Sequence, residues 1–290
     1  MSHLVAQDLI IGHTAYSPLP NSNPTQYVQK DATAAMLTRI ANANASVLSE
    51  LHISQNHPTL RAPLLPNMSL HTLATMGAQD PNLAWPVFKA LWSELTATPQ
   101  TTKTGGTEPF KPRPPMLIAV DGLSHWMTNS KYRSADFEPI HAHDLALVSH
   151  FISLLSSTST SPPLPNGGLV LYSTSASNTP TLYSFDLSIK RLTARCAGLP
   201  VTSPDFPLPE AYRKLDERVM ALFDEAKGLQ IQELSGLTKD EARGLMEYFA
   251  LSGLLRENVS EDLVGEKWSL AGGGVIGELE KLGRRLRVLA

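Results

Sequence analysis

The sequence predicts an α/β protein: a larger N-terminal part built on a parallel sheet, followed by a small winged-helix-like α+β domain. Two observations predict the first part. Met116-Leu-Ile-Ala-Val120 and Leu169-Val-Leu-Tyr172 are continuous apolar runs of strand length, the pattern of parallel strands covered on both faces. Segments of helical period flank and separate them, and helix, buried strand, helix, buried strand is the α/β order. The second part is predicted by a change of composition near Pro209, beyond which the chain is charged, helical in period and nearly free of proline.

Taken in order, residues 24–50 read as one long helix with Val28, Met36, Ile40, Val47 and Leu48 inward. Leu70–Leu73 and Pro81–Leu95 predict further helical pieces carrying Trp85 and Trp92. Residues 97–115 are too polar and too rich in proline and glycine to pack, and read as a surface loop. The first strand then runs into Asp121-Gly122. A helix over 144–155 and a second Pro/Ser loop over 156–168 lead to the second strand, which runs into Ser173–Asn178.

Beyond Pro209 the spacing predicts one amphipathic helix over 211–227 and a short one over 230–234, turned by Ser235-Gly236. Thr238-Lys-Asp-Glu241 is a capping box that opens a third helix, with Leu245, Met246 and Phe249 inward and Gly253 at its end. Two short strands, Leu254–Glu257 and Glu266–Leu270, are expected to form a wing. A closing helix after Gly274 places Leu279, Leu282, Leu286 and Leu289 on one side. Helix, helix-turn-helix, hairpin is the winged-helix order, and the domains are accordingly expected at 1–208 and 209–290.

Composition narrows the function. The 290 residues carry a net charge of −3, so no basic field draws nucleic acid or anionic lipid to the whole surface. A single cysteine, Cys196, excludes an internal disulfide framework and an all-cysteine metal site. No apolar run approaches the ~20 residues of a membrane span. The first arginine is Arg39, so the start reads neither as a secretory signal nor as an Arg-rich mitochondrial presequence.

Four constellations carry chemistry, and each has a plainer reading. An apolar strand ending in Asp121 is how P-loop NTPases place the acid beside Mg²⁺, yet Asp-Gly is also ordinary turn chemistry. Gly122 stands where hydrolysing members carry Glu, which argues against efficient hydrolysis. The phosphate loop itself needs Gly-Lys, and no Gly-Lys pair occurs in the chain. Gly272-Gly-Gly274-Val-Ile-Gly277 matches G-x-G-x-x-G, but too few residues follow for the distal acid of a dinucleotide site. Its glycines are expected to end a wing and start the last helix. His141, His143, His150 and His125 suggest a metal, but the segment leads into a helix capped by His143 or Asp144, which favours satisfied histidines. The third helix would read DNA in a winged helix, but its exposed Lys239, Asp240, Glu241, Arg243 and Glu247 hold more acid than base, which favours protein contact or intramolecular packing.

Several segments together resemble one family. They are Gly12-His-Thr-Ala-Tyr-Ser-Pro18 with Gln26-Tyr-Val-Gln-Lys30, Met116 to His125, Lys131-Tyr-Arg133 with Pro139 to Asp144, and Leu237 to Tyr248. Their order and spacing are similar to those of the fungal death-associated protein three family, GTP-binding-type proteins in the head of the mitochondrial small ribosomal subunit. The resemblance runs from about Val5 to the C-terminus. It implies a P-loop NTPase-like (AAA-like) core followed by a winged-helix-like domain. It also implies a structural role in the mitochondrial matrix, with ribosomal proteins and rRNA as partners, contact toward the large subunit, and neither membrane nor DNA. Asp121 falls at the family's Mg²⁺-side acid, while Ser175 and Asn178 fall where a phosphate-sensing strand end lies, a degenerate nucleotide site. The family's first strand and phosphate loop precede the segment matching Val5–Asp8, so the chain is expected to be an N-terminally truncated form. No cofactor is then expected, and GTP or GDP with Mg²⁺ only in a longer form. The alternative reading is an NTP-dependent switch enzyme of AAA-like type.

Overall fold

A computed structural model describes residues 3–5, 16–19, 25–60, 64–65, 67–99, 110–155, 163–175, 180–226 and 228–285. Contacts gather the chain into two compact units, residues 1–174 with 181–229 and residues 175–180 with 230–290.

The first unit is built on a three-stranded parallel sheet in the order β1 (His3–Val5), β4 (Met116–Asp121), β7 (Gly168–Ser173). Leu117 pairs with Leu169, Ala119 with Leu171 and Asp121 with Ser173. Both apolar runs therefore form the expected strands, but their two faces differ. On one, Val120 is buried and the Tyr172 hydroxyl donates to Phe151 O at 2.6 Å. On the other, Leu117, Leu169 and Leu171 are 44%, 58% and 52% exposed, so burial on both faces is not met. Two small antiparallel pairs complete the strands: β2 (Tyr16–Pro18) with β3 (Tyr27–Gln29), and β5 (Asn129–Arg133) with β6 (Pro139–His141).

Helices α1 (Lys30–Ala43), α3 (Leu70–Gln79) and α4 (Pro81–Leu95) pack together through Leu37, Leu70, Leu73, Val87 and Leu91, all nearly or wholly buried. Gly77 permits that closeness, since a Cβ there would stand 2.7 Å from Leu37 Cδ1 and Val87 Cβ. The starts follow capping chemistry: Ser69 Oγ accepts from Thr72 N at 3.2 Å, and Asp80 Oδ1 accepts from Asn82 N at 2.9 Å with Pro81 in the first turn.

The single helix expected over 24–50 is three elements. Residues 27–29 are strand β3, and α1 stops at Asn44 before the short α2 (Ala45–Glu50). The Asn44 side chain turns back on Ile40 O at 3.0 Å, competing with the helix as asparagine does. Val47, expected inward, is 47% exposed. The loop over 97–115 is not wholly superficial either: Ala97 and Arg113 are buried, while 100–109 lie outside the described residues.

Helix α5 (Ala146–Ile152) follows a 3₁₀ turn over Ala142–Asp144. The N-cap of α5 is Leu145, with no side-chain cap bond, and not His143 or Asp144; His141 caps the preceding 3₁₀ turn, accepting from His143 N through Nδ1 at 3.1 Å. Helices α6 (Tyr183–Cys196) and α7 (Glu217–Glu225) form a pair. Phe185 and Phe223 pack with their rings tilted by 59° and centroids 5.6 Å apart, and Ser184 Oγ accepts from Asp216 N at 2.7 Å. Through these contacts α7 belongs with the first unit, whereas composition placed the break at 208/209. The helix expected over 211–227 starts only at Glu217, because Asp216 caps it by accepting from Arg218 N and Val219 N.

The second unit corrects the wing. Residues 230–234 form no helix. Helix α8 (Lys239–Leu251) opens on the expected capping box. Gly253, in the left-handed region with φ 73°, lies just beyond its end. Residues 254–257 form no strand, and 261–270 are helix α9 (Glu261–Leu270). Ser260 Oγ accepts from Leu263 N at 3.2 Å, and Glu261 and Asp262 suit the positive end of a helix. That start signal outweighs the strand-like alternation of Glu266–Leu270. Gly272, Gly273 and Gly274, all at positive φ, turn the chain from α9 into α10 (Ile276–Arg285). Gly274 O accepts from Leu237 N at 2.8 Å, and a Cβ on Gly274 would sit 2.2 Å from Leu237 O. The glycines thus end a helix rather than a wing. The core is Ala242, Met246, Phe249, Leu255, Val264, Ala271 and Leu279, and the described residues of 230–290 contain no strand. Leu286 and Leu289 lie outside the described residues.

Candidate functional site

The strand ends bring two polar side chains together. β4 and β7 are parallel and in register, so Asp121 and Ser173 emerge side by side at their C-terminal ends. This is where open parallel sheets place ligands. Ser173 donates through Oγ to Asp121 Oδ1. Gly122 follows at φ 77° and donates its N–H to Ser173 O at 3.0 Å. Only a residue tolerant of the left-handed region makes that turn without strain. Asp121 is exposed, as is Ser175. Asn178 lies outside the described residues.

This arrangement does not by itself fit a nucleotide with Mg²⁺. A triphosphate needs a cradle of backbone N–H groups and a lysine. The strand ends supply one carboxylate, already hydrogen-bonded to a neighbouring hydroxyl, and the chain has no Gly-Lys pair. A cavity of about 480 Å³ borders the N-terminal half of β4, away from Asp121, among Met36, Ile40, Leu91, Trp92, Met116 and Ile118. Its lining is mostly apolar, with Arg39 and Asn44 among its polar members.

The histidines make no metal centre: among the described residues no group of three or more His, Cys, Asp or Glu is placed to hold an ion. The His141 and His143 rings meet edge to face, centroids 4.4 Å apart. His141 Nε2 lies 3.4 Å from Asp216 Oδ2 without hydrogen-bond geometry. Burial first, then His141 beside it, takes the His143 pKa down to about 3. Burial takes His150, set against Phe88 and Trp92, down to about 4. Both are neutral imidazoles at neutral pH. Cys196 is exposed and donates to Leu229 O at 3.4 Å.

The densest polar cluster escaped sequence reasoning. The Glu94 carboxylate is fully buried. It accepts from Ser54 N at 3.0 Å, Ser54 Oγ at 2.7 Å, Gln55 N at 2.8 Å and Arg113 Nη2 at 2.7 Å, with His57 Nε2 at 2.9 Å. Arg113 also donates to Glu94 O at 2.9 Å and His52 O at 2.7 Å. Every strong acceptor and donor in it is spent inside the fold, so it fastens the 52–57 and 110–115 segments to α4 rather than offering a site. Its members come from three segments distant in the sequence, and nothing in the local sequence marks the pairing.

Comparison with known proteins decides the family. The family described as "Mitochondrial ribosomal death-associated protein 3" matches residues 4–282. The chain belongs to this family. It is also 39% identical over 277 residues, 95% of its length, to the "Small ribosomal subunit protein mS29" of Neurospora crassa. It spans about half, 54%, of that relative's length. Within the family match lie the Asp121 strand and most of the second unit, so the match spans all the separate segments that carried the resemblance. Among the described residues no helix is long and apolar enough to cross a membrane.

Proposed function

We propose that this chain is a structural constituent of the small subunit of the mitochondrial ribosome. It supports mitochondrial translation and has no catalytic activity of its own. The observation that carries the reading is the 39% identity, over 95% of the chain, to a protein named for that subunit. Its partners in this reading are other small-subunit proteins and rRNA, with contact toward the large subunit. We further propose that Asp121, Ser175 and Asn178 mark the trace of a guanine-nucleotide site on a P-loop NTPase-like core. Without Gly-Lys, these 290 residues hold no nucleotide.

Two experiments test the two levels. The tagged chain, expressed in mitochondria, is expected to sediment with small subunits on a sucrose gradient through a high-salt wash; sedimentation only with free protein overturns the ribosomal reading. Equilibrium dialysis of the purified chain with labelled GTP and Mg²⁺ is expected to show no saturable binding. Tight binding lost in Asp121→Ala would restore the switch reading.

A further inference from the structure

We propose that the outer side of α8 is a docking surface for a basic amphipathic helix of a partner protein. Three observations carry this. First, Tyr248 and Leu251 are 63% and 90% exposed. With Gly244 they follow the i, i+4, i+7 spacing that aligns residues along one side of a helix. The inward side is a different one, occupied by Ala242, Met246 and Phe249 in the core. α8 is thus apolar on two sides, and only one is covered by the described residues.

Second, Gly244 sits in mid-helix, where glycine is markedly less favourable than alanine. The fold does not require it: its φ is not in the left-handed region, and an added Cβ would meet nothing within 4 Å. This differs from Gly77 and Gly274, where a Cβ would collide. A bare backbone on an exposed helix lets a second helix approach closely, since interaxial distance is set by the side chains at the crossing.

Third, the charge beside the stripe selects the partner. Asp240, Glu241 and Glu247 are exposed along α8. Of the two cations on the helix, Arg243 is paired with Glu261 and Lys239 lies over the Trp268 ring. Over residues 230–290 acid outnumbers base by ten to eight, and beside the stripe itself both cations are already engaged. Such a surface repels a phosphate backbone and complements a cationic one. Apolar anchors at helical spacing, framed by acid, are the receptor half of helix recognition by a basic amphipathic partner.

The partner's being a ribosomal protein rests on the proposed function; the docking chemistry does not, and the experiments separate the two. The isolated chain is titrated with a fluorescein-labelled 18-residue amphipathic Leu/Lys peptide, beside a scrambled peptide of the same composition. The ordered peptide is expected to bind at least tenfold more tightly. Gly244→Gln is expected to weaken it at least tenfold while leaving the thermal midpoint unchanged or higher. Equal binding of the two peptides, or undiminished binding by Gly244→Gln, overturns the proposal. For identity, Tyr248→p-benzoylphenylalanine is photolysed in gradient-purified small subunits. A cross-link to a Lys/Arg-rich helical peptide of another subunit protein is expected. A cross-link to rRNA, to a second copy or to the chain's own C-terminal residues overturns it, as does none in a chain that co-sediments. If the chain does not co-sediment, the ribosomal reading fails, and the peptide titration alone decides the docking surface.

Discussion

Replacing Glu94 by alanine is expected to be among the most damaging single changes in the first unit. The Glu94 and Arg113 side chains are 0% and 1% exposed, with N and O 2.7 Å apart. Removing the carboxylate leaves a buried guanidinium without its counter-charge, a loss of about 3–5 kcal/mol where one partner of a buried pair is deleted. It also orphans the Ser54 and Gln55 N–H groups, at roughly 1–3 kcal/mol each if no water reaches them. Arg113→Ala should cost a similar 3–5 kcal/mol. The double variant Glu94→Leu/Arg113→Met removes both charges, so its cost should fall below the sum of the single losses by about 2 kcal/mol or more. Urea unfolding followed by tryptophan fluorescence measures all three, Trp85 and Trp92 both lying on α4. The pH dependence gives an independent reading. Burial works against the Glu94 charge, but hydrogen bonds from His57, Ser54 and Gln55 overcome it and hold the carboxyl below its ordinary range. A depressed carboxyl stabilises fully above its unfolded value of about 4.3, and that contribution is lost as pH falls through the folded value. The double variant should lack this acidic limb. Single losses under about 1 kcal/mol, or strict additivity, would refute the reasoning.

Three further outcomes are expected. Gly274→Ala places a Cβ 2.2 Å from Leu237 O at φ 84°, and should lower the stability of the second unit by roughly 2–4 kcal/mol in denaturant unfolding. Thr238→Ala removes one half of the capping box at the start of α8; a loss of about 1 kcal/mol is expected, with helicity by circular dichroism as the check. His150, pushed down to about 4 by burial, takes up in the unfolded chain a proton that the folded one refuses. Stability is therefore complete above about pH 6.5 and falls toward pH 4, by about 2 kcal/mol at pH 5. His150→Phe should flatten that part of the urea-midpoint profile, and an unchanged slope would assign it elsewhere.

Much of the fold was legible because its signals were local. Met116–Val120 and Leu169–Tyr172 needed only an unbroken apolar run, and Thr238–Glu241 needed only four residues. The two strand ends were legible as places where polar side chains emerge, but the bond between Ser173 and Asp121 was not, because it depends on the register of the two strands. Where reading failed, two local signals competed or the cause was distant. Residues 266–270 alternate like a strand, but the cap six residues earlier commits the segment to helix before the alternation begins. Residues 27–29 continue a helical spacing, yet the pairing of β3 with β2 claims them. Arg113 looked like part of a Pro-rich surface loop because its partner, Glu94, sits on a separate helix, and a buried ion pair leaves no periodic trace.

The order of pairing in the sheet carries a consequence for biosynthesis. His3 pairs with Ala119, so β1 leaves the ribosome roughly a hundred residues before the strand that receives it. At about 5–20 residues per second, β1 waits on the order of ten seconds for β4 to emerge. β4 and β7 lie closer in the chain and can join first, which makes β1 the last strand to dock, because the longest loop closes at the largest entropic cost. Pulsed hydrogen exchange during refolding would find protection at Val120 and Leu171 before it reaches Leu4. Premature association of nascent chains would then be sensitive to the time the amino end spends waiting.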